Sequence, residues 1–317
     1  MQDIITKRTV LLTAAIIALA AFPILGSCSS APKRPAEIFT TRNSAIAQLE
    51  LGNKAVSKGD YANARLFLAE AWRLAVSADD PSTRINVLLA EGNSWFNEGD
   101  SDKANELWEQ AETEAANINN RTLLSIAKIY MARGSLAEGS ADENIPDGER
   151  KRRAAAVKAV VLAEIDKTKD NDLYHAFAWK VLALAEKELG NAKSAEAAIK
   201  EAAVLHEKGK YLEDTAYDWY LIASVRSKAG KYQNAKEALE TALSFDRRAE
   251  NANGLAMDWM AIGMVEERAG KPDAAKTAYM RAKEIFLSAY LKDSAASADR
   301  KIAELEQAAV SPAAISK

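Results

Sequence analysis

The chain has 317 residues, 48% of them hydrophobic and 27% charged, the balance of a folded protein rather than a disordered one. Its 42 Lys and Arg against 45 Asp and Glu leave a net charge of -3, too even to give nucleic acid the basic face it requires. Only seven prolines and 14 glycines in an alanine-rich chain favour helix over sheet, and a single cysteine excludes an intramolecular disulfide.

The chain opens on Lys7 and Arg8, followed by an uncharged apolar stretch from Val10 to Leu25. A membrane-spanning helix needs about 20 apolar residues, and Pro23 interrupts the end of this one, so an export signal is the better reading. The stretch runs into Leu25-Gly26-Ser27-Cys28: an aliphatic residue three places before the cysteine, then two small ones. This resembles the lipobox of bacterial lipoproteins. The resemblance implies a signal peptide over 1–27, a diacylglycerol on the Cys28 thiol and acylation of the amino group freed by cleavage. Several acyl chains would hold the protein firmly at a membrane. Residues 28–44 have tether composition, with Pro32 and Pro35 among small and polar neighbours. Ser29 stands where the inner-membrane retention signal of enteric bacteria has Asp, which leans toward the outer membrane, facing the periplasm.

A period of 40 residues organises the rest of the chain. Gly59, Gly99, Gly190, Gly230 and Gly270 each sit between two helical patterns. Each is followed by an alanine, an apolar residue four later and another alanine: Ala64, Leu68, Ala71; Ala104, Trp108, Ala111; Ala195, Ile199, Ala202; Ala235, Leu239, Ala242; and Ala275, Tyr279, Ala282. Before the turns, Trp179, Trp219 and Trp259 recur at one place. The set resembles the tetratricopeptide pattern, in which small residues let two antiparallel helices approach and a large one fills the gap. A period of 40 in place of 34 implies longer helices or connections.

The fold expected is all-α: a right-handed superhelical solenoid of about six helix pairs over 45–293. A capping helix near Ser294 to Gln307 and a frayed tail complete the segment 294–317. Helical patterns run from Arg121 to Glu138 and from Glu149 to Lys167, and the glycine- and proline-bearing stretch near 139–149 reads as an insertion in the third turn.

Catalysis finds no support, since His175 and His206 lie in different repeats and no phosphate-binding loop or metal spacing is present. No enzyme activity, cofactor or metal is expected. The resemblance places ligand-facing residues on the inner face of each first helix. Asn53 and Asn93 share the ninth place of consecutive repeats, where an amide can hold an extended peptide or bond a neighbouring helix. Leu49 stands where the carboxylate clamp of chaperone-binding relatives has Lys, so that clamp is not supported. Phe177, Tyr217, Tyr220, Met257, Met260 and Met264 form either an adaptable apolar groove or packing between repeats. The tryptophans, Trp95 included, read as core. The basic run Arg150 to Arg153 follows four acidic residues and reads as local charge balance.

These features imply an envelope scaffold that binds protein partners, anchored to the membrane by lipid, of open oligomeric state. The alternative is an accessory of a solute transporter that holds a small hydrophobic molecule in the groove.

Overall fold

The computed structural model describes residues 38–141 and 145–310. The expected export signal, Cys28 and the expected tether up to residue 37 lie outside the described residues, as do 142–144 of the expected insertion and the expected tail from 311. Among the described residues no helix is long and apolar enough to cross a membrane.

Those residues form thirteen α-helices and no strand: α1 (Thr40–Ser57), α2 (Tyr61–Ser77), α3 (Pro81–Glu98), α4 (Ser101–Asn117), α5 (Arg121–Ala141), α6 (Asp147–Glu164), α7 (Asp172–Glu188), α8 (Ala192–Gly209), α9 (Leu212–Lys228), α10 (Tyr232–Ala249), α11 (Ala252–Arg268), α12 (Pro272–Ser288) and α13 (Lys292–Val310). A 3-10 turn over Ile165–Thr168 follows α6. The order gives six antiparallel pairs, α1/α2 to α11/α12, closed by α13.

Caps explain where the helices begin. Asp60, Asp80, Asp100, Asn171 and Asn251 each accept a backbone N–H two or three residues on, satisfying a donor that has no partner inside the helix. The turn inside each regular pair is made by a glycine at φ between +73° and +101°. The turns between pairs use the same left-handed region, but Asp79, Asn119, Lys210, Glu250 and Tyr290 supply it.

The alanine set is the core. Ala64, Ala104, Ala195, Ala235 and Ala275 are fully buried, as are Ala71, Ala111, Ala202, Ala242 and Ala282. Between them Leu68, Trp108, Ile199, Leu239 and Tyr279 are equally buried. The second helix of each of the five regular pairs thus sets one large side chain against the small residue 16 places earlier on its partner: Gly52, Gly92, Ala183, Ala223 or Gly263.

Three boundaries differ from the sequence expectation. Thr40 to Ser44 belong to α1, because the helical pattern extends back into the expected tether. The last helix begins at Lys292, two residues early. Gly139 lies inside α5 and is not a turn glycine. First helices start 40 residues apart from Pro81 to Arg121 and again from Asp172 to Lys292, but 51 separate Arg121 from Asp172. Part of that excess lengthens α5. Another part forms the 3-10 turn, where Ile165 and Thr168 are buried and the Thr168 hydroxyl donates to the Ile165 carbonyl at 2.7 Å.

Candidate functional site: the inner face of the first helices

Three pairs of neighbouring first helices touch, α3 with α5, α5 with α7 and α9 with α11, whereas among the described residues no pair of neighbouring second helices makes a comparable contact. The first helices therefore line the inner side of the stack. The 40-residue period sets side chains there in rows.

One row holds Phe177, Tyr217 and Met257. Tyr217 is 52% exposed and Met257 44%, while Phe177 is half-buried and stacks on Tyr130 with ring centroids 4.4 Å apart. The next row holds Lys180, Tyr220 and Met260, all half-buried. Tyr220 packs on the main core and burial raises its phenol pKa; Met260 packs on the cluster of Ala256, Ala282 and Phe286. Met264 is 36% exposed. Groove and packing are thus both present. Tyr217, Met257 and Met264 are open, while Tyr220 and Met260 pack on the core. The Tyr217 ring lies nearly parallel to that of Tyr220 at 6.1 Å. Lys180 Nζ sits 5.6 Å from the centre of the Tyr217 ring, with Asp214 3.7 Å away.

The two asparagines are differently placed. Asn53 is exposed on α1. Asn93 Oδ1 accepts a 2.7 Å hydrogen bond from Nη1 of Arg133 on α5. Sequence reasoning missed this arginine. Its ninth-place column began Asn53, Asn93 and stopped there, although one more period lands on Arg133. The Arg133 guanidinium also reaches Asn97 Oδ1 at 3.4 Å, and lies 4.6 Å from the Phe96 ring centre and 5.9 Å from that of Phe177. The Tyr174 hydroxyl donates to Asn86 Oδ1, tying α7 to α3.

Other residues singled out by sequence have structural partners. Trp179, Trp219 and Trp259 are half-buried at the rim of the core rather than inside it. Trp179 Nε1 donates to His175 Nε2 at 3.1 Å, and Arg281 covers Trp259 at 4.6 Å. Trp95 is also half-buried, between Arg65 and Lys103 at 4.8 and 4.6 Å. The basic run is neutralised within α6: Lys151 meets Asp147 at 2.7 Å, and Arg152 and Arg153 meet Glu149 at 2.7 and 3.1 Å, holding its carboxyl down at about 2. His206 is buried on α8 with Nδ1 2.6 Å from Asp218 Oδ2 on α9. No group of three or more metal-ligating side chains occurs among the described residues.

Paired helices, a 40-residue period and a lined inner face define the class: an all-α repeat solenoid. It is of the tetratricopeptide type. The tetratricopeptide-repeat family model matches residues 219–248, which span most of α9 and α10. The fold is similar to that of RapI in its apo form (TM-score 0.55, 12% identity, covering 83% of this chain and 71% of that one). A Rap protein complexed with competence and sporulation factor gives 0.53 at 13% identity, over 84% and 76% of the two chains. BtubC (BKLC) from P. vanneervenii gives 0.52 at 17% identity, over 78% and 92%. No curated protein matches the sequence.

Proposed function

We propose that this chain is a lipid-anchored scaffold of the bacterial cell envelope, probing the periplasm with its inner face and binding a segment of a protein partner there. The observation that carries the reading is the open row on neighbouring first helices, Tyr217 and Met257 with Met264 beyond them. Large apolar side chains left exposed in register on one face suit an extended or helical segment laid across the helices. The similar Rap protein solved with competence and sporulation factor supports a binding role for this fold. Anchoring rests on the lipobox-like Leu25-Gly26-Ser27-Cys28.

Photo-crosslinking side chains placed at Tyr217 and Met257 test the groove in cells. Discrete adducts are expected there, and none from Leu66 and Val204, which are exposed on the second helices α2 and α8. Equal adducts from both faces would refute a dedicated groove. Lipidic material released from the purified chain, without protein adducts, would favour the transporter accessory instead. Cys28→Ser is expected to abolish fatty-acid labelling and release the chain from membranes, and labelling that survives the change would remove the anchor.

A further inference from the structure

We propose that Arg133 is the receptor for a carboxylate of the bound protein segment, an assignment that rests on the groove reading above. Arg133 is half-buried on α5 between the rings of Phe96 and Phe177. Its only hydrogen-bond partners among the described residues are the neutral amides of Asn93 and Asn97, and no described carboxylate lies within ion-pair distance. The contrast with the other half-buried arginines among the described residues is sharp. Arg65 pairs with Glu98, Arg84 with Glu114, and Arg226 with Glu196.

A guanidinium has five N–H donors, and two at most are used here. Aromatic faces and packed helices strip water from it, and burial lowers its pKa. An unneutralised charge in such a place costs stability, which a folded chain bears where a ligand later supplies the counter-charge. The planar fork accepts a carboxylate through two parallel hydrogen bonds, more tightly than a lysine would. Phe177 and Tyr130 continue from it, with Tyr217 close enough to act on its charge, so an apolar or aromatic residue beside the carboxylate has a platform. Lys180, over Tyr217, adds a second positive group that Asp214 only partly offsets.

The test presents the full-length chain, held in detergent, with a random short-peptide library in three arms. The first has free C-termini, the second amidated C-termini, and the third is amidated with Asn and Gln in place of every Asp and Glu. The chain should retain carboxylate-bearing peptides over the carboxylate-free arm by roughly ten- to a hundredfold, the worth of a charge-assisted pair. A preference for the first arm over the second assigns the terminal carboxylate, and equal retention of the two assigns an acidic side chain. Arg133→Gln should erase the preference without lowering the melting temperature, and Arg133→Lys should keep part of it. Carboxylate-free peptides held equally well, and lost on Met257→Thr, would leave the groove standing and overturn the assignment. A preference unchanged in Arg133→Gln would overturn it too. So would an unfolded Arg133→Gln with a folded Arg133→Lys that shows no preference. If no arm is retained above a Tyr217→Ala, Met257→Thr chain, the groove reading itself falls.

Discussion

Gly92 and Gly263 face Trp108 and Tyr279, the two largest fully buried side chains among the described residues. A Cβ on either glycine would overlap those rings, with Trp108 Nε1 and Tyr279 Cε1 nearest. Where the second helix carries the smaller Ile199 or Leu239, the facing residue is Ala183 or Ala223. In these four pairs the larger side chain goes with glycine and the smaller with alanine, whereas Leu68 also faces a glycine, Gly52. Gly263→Ala should therefore cost roughly 1–3 kcal/mol by overpacking. Adding Tyr279→Leu should recover much of that loss, because Ala223 with Leu239 already packs well one repeat earlier. Thermal unfolding of the two single variants and the double one checks this. Non-additivity in the predicted direction is the result expected, and simple additivity would show that the pair does not share its space. This compensation was legible in the sequence, since the 40-residue register alone places each large residue opposite its small one. Arg133 was not read, because an arginine breaks the residue-type pattern even though it keeps the spacing.

Between helices, one buried position repeats with different chemistry. His206 meets Asp218 between α8 and α9; one period on, Asp246 of α10 faces Asp258 of α11; one further, Phe286 and Ala298 fill the place with carbon. Burial raises both aspartates, Asp246 to about 6 and Asp258 to about 8, the latter also through the charge of Asp246. Asn251 donates to Asp246 at 2.8 Å; Glu213 on α9 opposes its charge, and Arg247 tempers Asp258. At neutral pH the pair holds one proton, and protonated Asp258 donates to Asp246. An acid whose folded pKa is raised stabilises fully below its unfolded value near 4. That contribution falls as pH rises and is gone above about 8, the folded value of Asp258. Stability should accordingly drop between pH 5 and pH 9 by on the order of a few kcal/mol. Asp258→Asn should flatten that slope, since an amide donates without ionising. Denaturant unfolding across this range checks it, and an equal slope in wild type and variant would exclude the pair as the cause. The polar column was not read from sequence, because lone acids on a helix look like solvent-facing residues until a neighbouring helix covers them. The turns between pairs were also less legible than those within them, because L-residues such as Lys210 and Glu250 occupy the left-handed place that glycine marks elsewhere.

At the scale of the whole molecule, the count of six pairs and a cap was readable because every regular pair repeats one packing unit. The third pair was harder: its period is broken, and the lengthened α5 and the 3-10 turn at Ile165 have no counterpart to compare with. A stack of this kind is stabilised by each interface with its neighbour, so its end needs a helix with one apolar and one polar face. α13 meets that need. Ala295 and Ala298 are buried against the preceding pair, Phe286 and Leu291 join the same cluster, and Lys276–Glu306 and Lys283–Asp299 pairs at 2.7 and 2.6 Å hold the edges. Met260 packs on this cluster from the inner face, which links the cap to the groove. Truncation after Tyr290 should uncover Phe286 and cost roughly 2–4 kcal/mol, about the burial of one or two large apolar side chains. It should also promote self-association through the exposed end. Because Met260 loses its support, crosslinking from Met257 should weaken more than crosslinking from Tyr217, which stands one repeat further from the cut. Truncation after Val310 should change neither stability nor adducts. Unfolding curves, sedimentation and the two crosslinking yields check the set. A chain cut at Tyr290 that melts like wild type and keeps both adducts would show that the sixth pair closes the array without a cap.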